Sequence, residues 1–214
     1  MSTSLTQEQI DAFVNNCHGN LQAVRDTLRE HPELVNTRSS LGESPLQAAA
    51  HVGARDIAAY LLERGADMDI SAAAMLGDIE TLQSYLADDP EMARSTGAHG
   101  IPLLYHAAAG GDVAVAELLI DNGADLVTLT GPESTAVNLA AARGHLAMVR
   151  WLLDHGAPAS VRDYEGKTAL QRAEEAGHAE IAEMLRETER ELEPEHPDSP
   201  LPPGRAPDRT GGTL

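Results

Sequence analysis

Aromatic residues and cysteine are scarce in this chain of 214 residues. Phe, Tyr and Trp together make up 3% of the sequence, although hydrophobic residues make up 42%. Large aromatic side chains each bury a large apolar area and usually anchor a single compact core. Their scarcity, beside many alanines, favours thin layers of closely stacked helices. The single cysteine, Cys17, excludes a disulfide within the chain and weakens a zinc or redox interpretation.

Basic residues are also few. The chain has 15 Lys and Arg against 34 Asp and Glu, which gives a formal net charge of −19. A nucleic acid or an anionic membrane surface requires a basic patch that displaces counterions, so this balance argues against both as partners. The sequence shows no secretory signal pattern and no apolar run of about 18 residues. We therefore expect a cytoplasmic protein.

Glycines recur at a nearly constant interval along the chain. They are Gly19, Gly53, Gly77, Gly111, Gly144 and Gly177, which are 33 or 34 residues apart except for 24 residues between the second and the third. Each follows a stretch of small residues, such as 44–50 or 135–141, and precedes an amphipathic stretch with apolar pairs such as Leu61 and Leu62. A period of this length predicts helix pairs that cannot bury their apolar faces alone and therefore stack.

The repeated segments resemble the ankyrin-repeat family, whose repeat of about 33 residues has a Thr-Pro-Leu-His opening, a Gly-His turn and a Gly-Ala-Asp ending. The matching segments here are Ser44-Pro45-Leu46-Gln47, Gly144-His145, Gly177-His178, Gly65-Ala66-Asp67 and Gly123-Ala124-Asp125. The resemblance covers residues 8–186 and implies an all-α solenoid of helix–turn–helix pairs with β-turn loops. The predicted repeats lie near 8–37, 38–68, 69–97, 98–130, 131–161 and 162–190. We predict a flexible N-terminus at 1–7 and an acidic, proline-rich, disordered tail at 187–214.

The resemblance also implies non-catalytic binding of a partner protein in a concave groove. The residues just before each turn glycine and those at the loop tips would line this groove. The candidates are Glu43, His51, Val52, Met75, Leu76, His99, Ile101, Tyr105, His106, Arg143, Tyr164, Lys167 and Glu175. Val52, Met75, Leu76 and Ile101 would form an exposed apolar strip of the kind that often marks a partner site. Alternatively, Met75 and Leu76 are buried and compensate for a missing loop, because the repeat near 69–97 lacks the opening motif.

The charge of the chain predicts what kind of partner binds. A net charge of −19 attracts a basic protein surface and raises its association rate. We expect a monomer that binds such a protein, with no nucleic acid and no membrane as partners. One alternative is an inhibitor or immunity-type protein that occludes a basic partner, with Glu43 and Glu175 at the edge of the groove. A second alternative is a small-molecule or catalytic site around His99, Tyr105 and His106.

Local motifs for catalysis and metal binding are absent from the sequence. It has no glycine-rich phosphate loop, no HExxH pair and no cysteine pairs at zinc spacing. The histidines at 99 and 106 have no nucleophile or acidic partner fixed beside them in the chain, and general-base catalysis requires such a partner. The sequence therefore predicts no enzymatic activity, no catalytic residue, no metal ligand and no cofactor.

Overall fold

The computed structural model describes residues 5–130 and 135–192. In these residues the chain forms helices and no β-strand; one isolated bridge joins Thr96 and Pro102. The α-helices are α1 (Gln7–Asn16), α2 (Leu21–Glu30), α3 (Pro45–His51), α4 (Arg55–Glu63), α5 (Ile70–Leu76), α6 (Ile79–Asp88), α7 (Leu103–Gly110), α8 (Val113–Asp121), α9 (Val127–Thr130), α10 (Ala136–Ala142), α11 (Leu146–Asp154), α12 (Ala169–Ala176) and α13 (Ala179–Leu192). Short 3₁₀ helices lie at Pro32–Asn36, Pro90–Arg94 and Ala98–Gly100.

The helices form a stack of pairs. All except α9 belong to a helix–turn–helix pair, and the first helices of successive pairs contact one another: α1 with α3, α3 with α5, α5 with α7, α7 with α10, and α10 with α12. We call α1, α3, α5, α7, α10 and α12 the inner helices. The predicted all-α solenoid is confirmed.

Capping residues in the local sequence determine where three inner helices begin. Thr6, Ser44 and Thr168 each accept a hydrogen bond from the backbone N–H three residues later, where a Gln side chain bonds back to the N–H of the cap. This reciprocal arrangement satisfies donors that the start of a helix leaves unpaired. As a result, α1 already begins at Gln7, inside the segment predicted to be flexible.

The last helix extends into the segment that was predicted as a tail. α13 continues to Leu192, so residues 187–192 are helical. The rest of the predicted tail, 193–214, lies outside the described residues, as do 1–4 and 131–134. None of the described helices is both long enough and apolar enough to cross a membrane.

The core lies between the stacked helices and consists largely of alanine and leucine. The alanines at 48–50, 72–74 and 107–109 are fully buried on three successive inner helices. Their small side chains allow a close backbone approach: a Cβ added to Gly110 would lie 1.9 Å from the carbonyl oxygen of Met75. Thin layers of small residues thus replace aromatic anchors, as the composition predicts.

The repeat near 69–97 has no loop before its inner helix. Asp69 caps α5 directly, since its side chain accepts a hydrogen bond from the backbone N–H of Ala72. Because no loop separates the neighbouring repeats here, α3 contacts α7 as well as α5. The 3₁₀ turn Ala98–Gly100, in the loop before α7, also contacts α3. The loop of the following repeat therefore reaches across the short repeat.

Candidate functional site

A groove of about 740 Å³ runs past the ends of the inner helices and the loops that precede them. Its lining comes from the helix pairs that contain α1, α3, α7, α10 and α12, and includes His18, His51, Val52, Ile101, Pro102, Tyr105, Thr135, Leu139, Ala142, Arg143, Asp163, Tyr164 and Arg172. The lining combines aliphatic and aromatic side chains with a few polar and charged groups. Such a mixture is typical of binding sites, in which apolar area gives affinity and polar groups fix orientation.

Some of the predicted partner-binding residues line this groove and others do not. His51, Val52, Ile101, Tyr105, Arg143 and Tyr164 line it. Tyr164 is 94% exposed at its edge. Lys167 and Glu175 lie on the same repeat, with Nζ of Lys167 2.8 Å from Oε2 of Glu175. The other predicted residues are Glu43, Met75, Leu76, His99 and His106, which do not line the groove.

Met75 belongs to the core, so the interpretation in which it is part of an exposed strip is wrong. Its side chain is 0% exposed, because α5 packs directly against α7 where the loop is missing. Leu76, the next residue, is partly buried and packs against the same core. The short repeat therefore contributes buried packing instead of apolar surface.

The predicted group of His99, Tyr105 and His106 does not share one cavity. His106 is 1% exposed, and its Nδ1–H donates to the carbonyl oxygen of Pro102 over 3.1 Å. Burial lowers the pKa of His106 to about 4. Tyr105 lines the groove, and its hydroxyl lies 3.3 Å from Oγ1 of Thr135. His99 instead contacts Glu43.

Glu43 is the centre of a cluster of three histidines. We call Glu43, His18, His51 and His99 the His–Glu cluster. Nδ1 of His51 lies 2.9 Å from Oε1 of Glu43, Nε2 of His99 lies 3.2 Å from Oε2, and Nε2 of His18 lies 3.7 Å from Oε2. The rings of His18 and His51 are 4.5 Å apart between centroids. Potential ligand atoms of His18, Glu43 and His51 all lie within 4.8 Å of one another, so these residues could hold a metal ion.

The electrostatics of the cluster favour an ionised carboxylate. Glu43 is only 4% exposed, and burial by itself raises the pKa of its carboxyl. Hydrogen bonds from His51 and His99, together with the charges of His51 and His18, outweigh burial and lower the pKa of Glu43 below its usual value. Burial lowers the pKa of His18. In the described residues, Glu43 has no Lys or Arg partner.

Backbone strain accompanies the contact of His99. His99 has a φ of 58°, and it is the only non-glycine residue with positive φ in the described parts of the chain. The left-handed region is uncommon for a residue with a Cβ, and such strain is concentrated at functional sites. The strained turn belongs to the loop that crosses the short repeat, and it places the imidazole of His99 beside Glu43.

The opposite end of the groove is held by Asn138 and a salt-bridge network. The side-chain amide of Asn138 donates to the carbonyl oxygens of Val161 and Lys167, over 3.0 and 2.8 Å. Nε of Arg172 lies 2.5 Å from Oδ2 of Asp163, which places that carboxylate at the groove wall. These bonds fix the loop before α12 and therefore the position of Tyr164.

Sequence reasoning missed the His–Glu cluster and several groove residues. Missed lining residues include Thr135, Asn138, Asp163 and Arg172. One signal was present for the cluster: His18 and His51 both lie in the pair of residues near a turn glycine, and stacking brings equivalent positions of adjacent repeats together. No local pattern indicated that Glu43 or His99 would join them.

Comparison with known proteins agrees with this architecture. A family model described as ankyrin repeats (3 copies) matches residues 103–197, and one described as ankyrin repeat matches residues 41–73. The two matched segments together cover more than half of the chain. No curated protein matches the sequence.

Proposed function

We propose that the groove of this chain, which belongs to the ankyrin-repeat family of protein–protein interaction modules, binds a segment of a partner protein. The observation that supports this most strongly is the origin of the lining, which comes from five helix pairs. A groove assembled from so many repeats suits an extended peptide segment, which can contact several repeats in turn. Ankyrin-repeat proteins are typically non-enzymatic, and we propose the same for this chain.

The lining indicates the chemistry of the bound segment. Val52, Ile101 and Leu139 offer aliphatic surface, and Tyr105 and Tyr164 offer aromatic surface with a hydroxyl. Tyrosine binds with large contact area and little loss of conformational entropy. A partner segment with apolar side chains fits this surface, and the hydroxyl of Thr135 supplies a polar group that would orient its backbone.

Charge would act on the partner over a longer range. The acidic groups of the chain outnumber the basic ones by 19, which would speed the approach of a basic protein. At the groove itself, Arg172 is paired with Asp163 and Glu165, so its charge is largely neutralised. We therefore propose that the partner is basic around its apolar contact segment and binds a monomer of this chain in the cytoplasm. Inhibition of a basic protein would be one form of such binding.

Selection from a random peptide library displayed on phage tests this proposal. The full-length protein is the bait, and the affinities of selected peptides are then measured for the wild type, Ile101→Glu and Tyr164→Ala. We expect both substitutions to weaken binding at least tenfold, because they alter apolar groove surface. Selected peptides should be enriched in Lys and Arg, and their association rates should fall as salt is added.

The matched control is Ile79→Glu, which places the same charge on an isoleucine outside the groove. Ile79 is 36% exposed at the start of α6 and does not line the groove. This variant should bind selected peptides like the wild type. Peptides whose affinity is the same for Ile101→Glu, Tyr164→Ala and the wild type would show that recognition takes place elsewhere.

A further inference from the structure

We propose that His18, Glu43, His51 and His99 form a binding site for one divalent metal ion of the zinc class. Two of these residues, His18 and His51, also line the end of the groove. It would join three repeats, since His18 follows α1, Glu43 precedes α3, His51 is the last residue of α3, and His99 lies before α7. Three imidazoles and one carboxylate are ligands that Zn²⁺ prefers, and related ions such as Co²⁺ accept them too.

The ligand atoms of His18, Glu43 and His51 all lie within 4.8 Å of one another, which is close to the spacing in a tetrahedral shell. With metal–ligand bonds of about 2.0–2.1 Å, two ligands of a tetrahedral zinc ion lie roughly 3.4 Å apart. The separations from the Glu43 oxygens are 2.9 Å to His51, 3.2 Å to His99 and 3.7 Å to His18. These values lie on both sides of the expected one. His99 falls outside the group whose ligand atoms all lie within 4.8 Å of one another, so its loop would have to move for His99 to join the shell.

The orientation of His18 points to a cation between the rings and the carboxylate. Nδ1 of His18 lies 3.2 Å from the carbonyl oxygen of Asn15, so this nitrogen has the proton and donates it. In the neutral ring, Nε2 then presents a lone pair toward Oε2 of Glu43 at 3.7 Å, beyond hydrogen-bond distance. A metal ion satisfies both lone pairs. A backbone carbonyl that accepts from the other ring nitrogen is the usual way of orienting a metal-binding histidine.

In the described residues, the buried Glu43 carboxylate has only histidines, and no Lys or Arg, as a source of positive charge. Burial of an ionised group is costly unless it is paired or coordinates a metal. Within the described residues, the side chains that contact the Glu43 carboxylate are the three histidines of the cluster. A divalent cation would supply this charge and would also explain why the loop before α7 holds His99 in a strained conformation beside the other ligands.

Titration of the metal-free protein with Zn²⁺ tests the proposal. The full-length protein, without a polyhistidine tag and dialysed against EDTA, competes for Zn²⁺ with a chromophoric chelator. We expect one equivalent of Zn²⁺ to bind and to raise the Tm. The variants His18→Ala, Glu43→Gln and His99→Ala should each weaken binding at least tenfold. In addition, Co²⁺ should give the intense visible bands of a four-coordinate site in the wild type and altered bands in His99→Ala.

The control variant is His31→Ala, which removes a histidine from another His–Glu pair. Nδ1 of His31 lies 3.3 Å from Oε1 of Glu33, but both side chains are well exposed and belong to no cluster. This variant should bind Zn²⁺ like the wild type. His99→Ala alters an exposed loop residue, so its fold should persist, and circular dichroism checks this for every variant. The proposal is overturned if the wild type binds no Zn²⁺, or if folded His99→Ala and Glu43→Gln bind it as tightly as the wild type.

Discussion

Nδ1 of His51 lies 2.9 Å from Oε1 of Glu43, so the residue at the end of α3 is bonded to the loop before that helix. Glu43 is 4% exposed, and replacement by Gln removes its charge and exchanges one of its two acceptor oxygens for an NH2 donor. We expect Glu43→Gln to lower the free energy of unfolding by about 2–4 kcal/mol at pH 7. Urea unfolding in the presence of EDTA measures this loss without any contribution from bound metal.

The matched control for that substitution is Glu33→Gln. Glu33 also contacts a histidine, His31, but the pair is exposed to solvent. Exposed ion pairs contribute about 0–1 kcal/mol, so the control should lose no more than that. Equal losses in the two variants would mean that burial of Glu43 has no energetic consequence.

His106 makes stability depend on pH. Burial lowers its pKa to about 4 from an ordinary 6.5, so the unfolded chain takes up a proton first as the pH falls. The contribution of His106 to the free energy of unfolding is complete above pH 6.5. Roughly 3 kcal/mol is lost as the pH falls from 6.5 to 4. His106→Asn keeps an N–H for the carbonyl of Pro102 and cannot titrate. Unfolding measured at several pH values should give a shallower slope for this variant, and equal slopes would refute the assignment.

Gly110 tests the close packing of α5 on α7. In an exposed helix, replacement of Gly by Ala stabilises by about 1 kcal/mol. Here a Cβ would lie 1.9 Å from the backbone carbonyl oxygen of Met75. Since backbone atoms move only if the two helices separate, we expect Gly110→Ala to destabilise the protein by at least about 2 kcal/mol. Thermal or urea unfolding measures the change in the free energy of unfolding and shows its sign.

Gly166→Ala is a control that measures the effect of backbone conformation without steric overlap. Gly166 has a φ of 77° and nothing within 4 Å of the position of an added Cβ. Its replacement should cost about 1–2 kcal/mol, from the left-handed backbone alone. A stabilising effect of Gly110→Ala, or a smaller loss than in Gly166→Ala, would contradict the observed approach of α5 and α7.

Asn138 should control the loop before α12. Asn138→Asp replaces the amide that donates to Val161 and Lys167 by a carboxylate facing two carbonyl oxygens. Because Asn138 is 2% exposed, we expect the substitution to lower the free energy of unfolding by about 2–4 kcal/mol. Amide hydrogen exchange at residues 161–167 should also become faster.

The control for Asn138 is Asn122→Asp. The amide of Asn122 donates to a single carbonyl, that of Leu118, over 2.9 Å, and the residue is only partly buried. Asn122→Asp should lower the free energy of unfolding by about 1 kcal/mol. Unchanged exchange at residues 161–167 in Asn138→Asp would show that other contacts hold this loop.

The local pattern of the sequence was sufficient to predict the helix pairs. The glycine interval, the runs of small residues and the Ser or Thr that caps three of the inner helices act within one repeat, where they determine turns, close packing and helix starts. The groove was predictable in part, because His51, Val52 and Arg143 immediately precede turn glycines. Met75 has a similar place in its repeat, yet it is buried, because the missing loop brings α5 against its neighbour.

The sequence by itself determined a stack of helix pairs, since that architecture depends on interactions between neighbours in the chain. Only the tertiary structure decided which polar side chains meet. His99 and His106 are close in sequence, but one lies beside Glu43 and the other is buried beneath the loop. Their separation follows from the short repeat, which allows a loop to cross to α3 and contact residues far away in the chain. Contacts at such distances depend on how the repeats stack, and no pattern within one repeat encodes them.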